Sequence, residues 1–116
     1  MKKFLAVYTG SPAAFDRWQT LDESERKRRE KAGMEGWNAW VTKNQASIVD
    51  MGGPLGKTKH ISAAGITDIR NAMAAYTVVQ AETHEAAAKL FEGHPHFMIF
   101  PGEAVEVMEC MPIPQM

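Results

Sequence analysis

The stretch from 93 to 102, GHPHFMIFPG, sets two imidazoles, His94 and His96, on either side of Pro95. Histidine is the side chain whose ordinary pKa, about 6.5, lets it take or give a proton near neutral pH. Abstraction of a proton beside a carbonyl, or elimination of a halide, needs such a base and a second group that orients it or steadies developing charge. Of the four histidines, His84 opens a helix and His60 lies in a polar extended stretch, so both read as solvated. His94 follows Gly93, where it reads as a charge that favours a helix C-terminus. His96, between Pro95 and apolar Phe97, is the better candidate for proton transfer. Its expected partner is Asp50, which interrupts the apolar run of Ile48, Val49 and Met51 just before a glycine turn. Asp50 either caps that turn through its side chain or pairs with an imidazole.

Other chemistries are weaker. His94-x-His96 has a spacing found in metal sites and Glu109 could add an oxygen, but two histidines without a fixed third ligand do not define one, so no metal is expected. Gly52 to Thr58 ends in Lys-Thr like a phosphate loop, yet Gly52 stands only four residues before Gly56 and no long helix follows. Cys110 lies in an alternating apolar segment and reads as a small buried hydrophobe. Trp37, Trp40, Tyr76 and Phe97 read as core, or as the lining of a pocket for a flat or aliphatic carbonyl compound.

The elements that must position these groups follow from periodicity and punctuation. Phe4 to Tyr8, closed by Thr9-Gly10, is an apolar first strand. Ser11-Pro12 starts a short helix to about residue 19. Thr20 and Glu23 have capping-box spacing, predicting a second helix to about residue 43 that is charged at first and then carries Met34, Trp37, Trp40 and Val41 at helical spacing. Gly33 and Gly36 each cost that helix ~1 kcal/mol against alanine, which implies a close neighbour or a bend. Residues 47–49 begin a second strand, the glycines from 52 to 56 bend the chain, and 59–62 resume an extended pattern as a hairpin or bulged strand. Residues 63–73 show no period and read as a loop. A β-branched strand at 75–81 is followed by a helix with Thr83 as N-cap, Gly93 as C-cap and Pro95 as its block. After a short apolar stretch at 97–100, residues 104–111 alternate as a last strand with Glu109 on the face of Val105 and Val107, where a buried carboxylate would need a partner.

This order predicts an α+β, ferredoxin-like βαββαβ fold, an antiparallel sheet with its helices on one face. The other face is left open, and an exposed apolar sheet face calls for a partner or a ligand; a homodimer closing two sheets would cover it.

At 116 residues the chain fits a single domain, 1–116. With 45% apolar and 23% charged residues it belongs with globular chains and not with disordered ones. A net charge of −1 offers no pull on nucleic acid, and the basic run Arg26 to Arg29 is hemmed in by Glu23, Glu25 and Glu30. The apolar run after Lys2-Lys3 is too short for a signal peptide, and no run is long enough to span a bilayer. A single cysteine excludes an intrachain disulfide and suits a cytoplasmic location.

Taken together, VDMGGPLGKT (49–58), AYTVVQAETHEAAAKLFEGHPHF (75–97) and AVEVMEC (104–110) resemble the YCII-related family, which includes the DGPF-like proteins. The resemblance covers about residues 37–110 by order and type of motif. It implies the dimeric α+β barrel class, a homodimer, and a pocket between sheet and loops. Relatives include chloromuconolactone dehalogenases and muconolactone isomerases, and an acid-base role for a histidine with a nearby aspartate has been proposed in the family. This chain departs in its first long helix, which carries Trp37 and Trp40 and no histidine.

The expectation is a cofactor-free acid-base protein, isomerase- or lyase-like, acting on a small organic molecule. His96 would be base or acid, Asp50 its orienting partner, and Trp40, Gly53, Pro54, His94 and Phe97 the ligand contacts. The alternative is a dimeric small-ligand-binding module in which the histidines do no chemistry. A third reading makes the charged stretch from Asp22 to Lys31 a docking surface.

Overall fold

A computed structural model describes residues 1–114; the last two residues of the domain expected over 1–116 lie outside the described residues. The chain runs β1 (Lys2–Thr9), α1 (Pro12–Gln19), α2 (Glu23–Lys43), a 3-10 turn, β2 (Ile48–Pro54), β3 (Thr58–Ser62), β4 (Gly65–Ile69), β5 (Met73–Ala81), α3 (His84–Lys89), α4 (Pro95–Met98) and β6 (Ala104–Glu109). Four strands form one sheet in the order β2-β5-β1-β6, antiparallel throughout. This is the ferredoxin-like arrangement, in which the two strands that sandwich the first helical crossover lie apart and β5 fills the gap.

Strand alternation assigns the two faces. Phe4, Ala6 and Tyr8 of β1 and Val79 of β5 are completely buried under Trp40, Ala87 and Phe91, with Trp37, Val41 and Leu90 packed around them. Val105, Val107 and Glu109 pair with Tyr8, Ala6 and Phe4, so Glu109 lies on that same face, half-buried. Leu5 and Val7 face the other way, flanked by Val78 and Tyr76 on β5 and by Met108 and Glu106 on β6.

Two glycines of α2 are explained by close approach. A methyl group at Gly33 would run into the Phe100 ring, and one at Gly36 would come within 3.2 Å of Pro95. The long helix is thereby drawn against the segment that carries both core histidines.

Several local expectations are corrected. The capping box at Thr20 and Glu23 does not form: the Thr20 hydroxyl donates back to the Arg17 carbonyl at 2.7 Å and closes α1, while Asp22 is the N-cap of α2. Residues 63–73, read as a loop, contain β4, which pairs with β3 through Ile61–Ile66 and Lys59–Asp68 to make a separate two-stranded arm. Almost every arm residue is exposed, so no buried face imposes an alternating pattern on the sequence. Residues 95–98 form the helical turn α4, with His94 as N-cap and Pro95 in the first position. Cys110 is exposed, because alternation places it with exposed Glu106 and Met108, away from the core face. The arm gives the chain extents of 55 × 44 × 18 Å and a radius of gyration of 16.2 Å, where a compact domain of this length has ~13 Å. Among the described residues, no helix is long and apolar enough to cross a membrane.

Candidate functional site

The two histidines of the Gly93 to Phe97 segment sit side by side between sheet and helices. The helix α3 is shorter than expected, with Leu90 and not Gly93 as its C-cap; Gly93, at φ 68°, closes the turn that follows it. The chain then turns inward. His94 is completely buried, with its ring 4.5 Å from Trp37 and 4.7 Å from Trp40, both edge-on, and 5.1 Å from Tyr8. It is therefore no solvated charge at a helix end. Its Nδ1 accepts the backbone N–H of His96 at 3.0 Å, so the proton of the neutral ring belongs on Nε2. That buried N–H has no hydrogen-bond partner and meets only the surrounding rings, which accept such a proton weakly. Burial, with His96 alongside, pushes the His94 pKa down to about 4.

His96 is nearly as buried, and its Nε2 donates to the Thr9 carbonyl oxygen at 2.7 Å. In the neutral ring this leaves Nδ1 as the lone-pair nitrogen. Burial draws its pKa below the ordinary value, and the Thr9 carbonyl opposes the shift. Gly102 closes over the ring so tightly that a side-chain methyl there would collide with the imidazole. Tyr8 completes the cluster: its ring lies 5.2 Å from His96 and its hydroxyl 2.8 Å from Thr77 Oγ1. Since the Thr77 hydroxyl donates to the Met51 carbonyl at 3.0 Å, Tyr8 is the donor in the first bond. Burial outweighs that hydrogen bond and raises the Tyr8 pKa to about 12. All three groups are thus neutral at pH 7.

The structure does not join His96 to Asp50. Asp50 is exposed on the outer strand β2, and its Oδ1 accepts the Gly52 amide at 2.9 Å, capping the turn that Gly52 makes at φ 66°. Trp40 is buried, and its indole N–H donates to the Leu90 carbonyl at 2.7 Å. Gly53 and Pro54 lie in the β2–β5 ladder opposite Tyr76 and Ala75. Phe97 lines a shallow groove of about 410 Å³ with His84, Phe91, Val105 and Val107. Among the described residues, no three His, Cys, Asp or Glu side chains converge as metal ligands.

A larger concavity than the Phe97 groove lies elsewhere, at the root of the β3–β4 arm. It has a volume of about 690 Å³ and is walled by Gly10 and Phe15 on one side, Leu55 to Lys59 on another, and Asp68 to Ala74 on the third. Thr9, which holds His96, immediately precedes Gly10 in this wall. Asn71 braces the root, accepting the Met73 amide at 2.9 Å and donating to Thr58 Oγ1 at 3.4 Å. Sequence reasoning missed this groove because three distant segments build it, and it treated Tyr8 as plain strand. A hydroxyl-bearing ring in the middle of an apolar central strand was the available signal for Tyr8, since buried tyrosines seek a hydrogen-bond partner.

No family model matches the chain, and no curated protein does either. Among solved structures, the chain is similar to 5-chloro-2-hydroxyhydroquinone dehydrochlorinase (TftG) from Burkholderia phenoliruptrix AC1100, in its complex with 2,5-dihydroxybenzoquinone. The match has a TM-score of 0.51 and 18% identity, and it covers 94% of this chain and 93% of that one. At that identity the likeness establishes a shared α+β fold.

Proposed function

We propose that residues 1–116 form one domain of the YCII-related kind that works as a homodimer in the cytoplasm and binds a small organic molecule. One observation carries this reading. The protomer exposes 8202 Å², against ~6300 Å² for a compact monomer of 12.9 kDa. A surplus on the order of 1900 Å² is what a protomer of a stable homodimer has to cover, since even standard interfaces take ~800 Å² from each partner. The surface to be covered is largely apolar: Leu5, Tyr76, Val78 and Met108, with Glu106 beside them, on the open sheet face, and Ile61 and Ile66 on the arm. Closing two such faces gives the dimeric barrel. Sedimentation over a range of concentrations tests the dimer, and a monomer mass at all concentrations overturns it.

A second reading, acid-base turnover, is supported by the state of His96. Its ring is neutral, its Nδ1 retains a lone pair, and the Thr9 carbonyl orients it as a carboxylate would. A solved structure of similar fold is that of a dehydrochlorinase, and elimination of chloride with a proton needs such a base. Asp50 would take part only through a rearrangement that brings its exposed carboxylate to the buried ring. The readings separate at His96→Ala, assayed on a panel of small carbonyl and halogenated compounds. Loss of turnover with ligand retained makes the protein an enzyme; ligand retained, with no turnover by either form, leaves the binding module.

A further inference from the structure

We infer that the groove at the root of the arm is the ligand site, and that its ligand is a small organic acid: a carboxylate carried on a ring or short hydrocarbon body. This rests on the small-ligand reading above and adds its place and its chemistry.

Two independent features of the groove point the same way. The first is charge. Of its four charged residues, Lys59 and Asp68 pair with each other across the arm, which leaves Lys57 and Arg70. Both are exposed, and neither is in an ion pair among the described residues. Two uncompensated cations on two walls of one concavity, in a chain whose net charge is −1, are a local field for an anion. A guanidinium offers a planar fork that matches a carboxylate, and an ammonium adds a second charge-assisted hydrogen bond.

The second feature is the apolar lining shared by all three walls. Phe15, Leu55, Ile69 and Met73 all line the groove, and each is at least 40% exposed. Scattered apolar side chains on a surface need no explanation, but four converging on one concavity beside two cations do. Small-molecule sites have this composition, an apolar lining with a few polar groups that fix orientation. At about 690 Å³ the space exceeds that of a single-ring acid, so closure by the partner protomer is compatible with occupancy.

The test is an amide NMR titration of the intact protein with benzoate and with its neutral analogue benzamide, repeated on the Lys57→Gln, Arg70→Gln double variant. Both substituted side chains are exposed, so the variant spectrum should overlay the parent outside the groove. The expected result is saturable benzoate shifts at Gly10, Leu55 to Thr58 and Ile69 to Ala72, at least tenfold weaker in the variant and absent with benzamide. Equal shifts with benzoate and benzamide, or with benzoate on parent and variant, overturn the anion assignment. Shifts confined to Leu5, Val7, Tyr76 and Val78 overturn the placement and leave small-ligand binding standing. Absence of saturable shifts with either compound overturns both.

Discussion

His96 Nε2 and the backbone N–H of Glu103 both donate to the carbonyl oxygen of Thr9, at 2.7 and 2.8 Å. One acceptor at the end of the central strand thus holds the helical turn α4 and the approach to β6. The Gly102 amide in turn donates to the His96 carbonyl at 3.0 Å, so ring and backbone of one residue fasten two segments. The histidine is part of the frame whether or not it moves protons.

Gly102→Ala forces the new methyl into the His96 ring, which cannot swing away without breaking its bond to Thr9. Overpacking of this kind costs roughly 1–3 kcal/mol. Urea denaturation should show that loss, and in the His96→Ala background the same substitution should cost less than half as much. Additive losses would mean that ring and glycine do not meet.

Stability should fall with pH across the titration of His94. Its folded pKa is about 4, while the unfolded ring titrates near ~6.5. Between those values the unfolded chain takes up a proton that the folded one refuses, so stability is full above the upper value and drains away towards the lower. His96, also lowered, adds to the same slope. The His94 contribution amounts to roughly 3 kcal/mol at its full extent. In His94→Leu the freed His96 amide lowers stability at every pH. The slope between pH 6.5 and 4.5 should nevertheless shrink by more than half, and an unchanged slope would show that His94 is not its source.

Asp50→Asn should leave the His96 titration where it is, because the carboxylate bonds the Gly52 amide and the imidazole bonds Thr9. NMR of the ring protons reads this directly. A His96 pKa that moves by more than about half a unit would mean that the two groups meet in solution.

Charge placed on the open sheet face should dissociate the proposed homodimer. Val78 and Met108 flank Leu5 on opposite sides. Lysine at both positions buries two unpaired cations in any face-to-face association, at a cost far above a surface substitution. Sedimentation should show the dissociation constant raised at least tenfold, with the far-UV spectrum unchanged.

The element order was legible because its signals are local. The β-branched run of β5, the Thr83 cap and the Gly93 stop each act within a few residues of chain, and from them the βαββαβ order and the face of Glu109 followed. His94 was misread for the same reason: Gly93 and Pro95 mark a helix end, but the rings that bury the imidazole come from β1 and α2. The partner of His96 is a main-chain carbonyl, which no residue type advertises. Of the arm, β3 was legible as the extended stretch at 59–62, but β4 was not, because the arm has no buried face and patterning is written only where burial selects it.

The arm also occupies a telling place in the ladder. Pro54 pairs with Ala75, and the Leu55 amide donates to the Ala74 carbonyl at 2.9 Å, so β2 and β5 are already neighbours where the arm leaves and returns. Topologically it is an insertion at the tip of an ordinary hairpin. The sheet is complete without it, and a two-residue turn could replace it without shifting the register of any strand. Two of the three walls of the groove belong to this insertion and its roots. The molecule is therefore modular: the four-stranded sheet sets the position of the groove, and the arm supplies most of its lining. Relatives of the same fold could acquire new ligands by rewriting one appendage while the buried histidine-aromatic frame stays untouched.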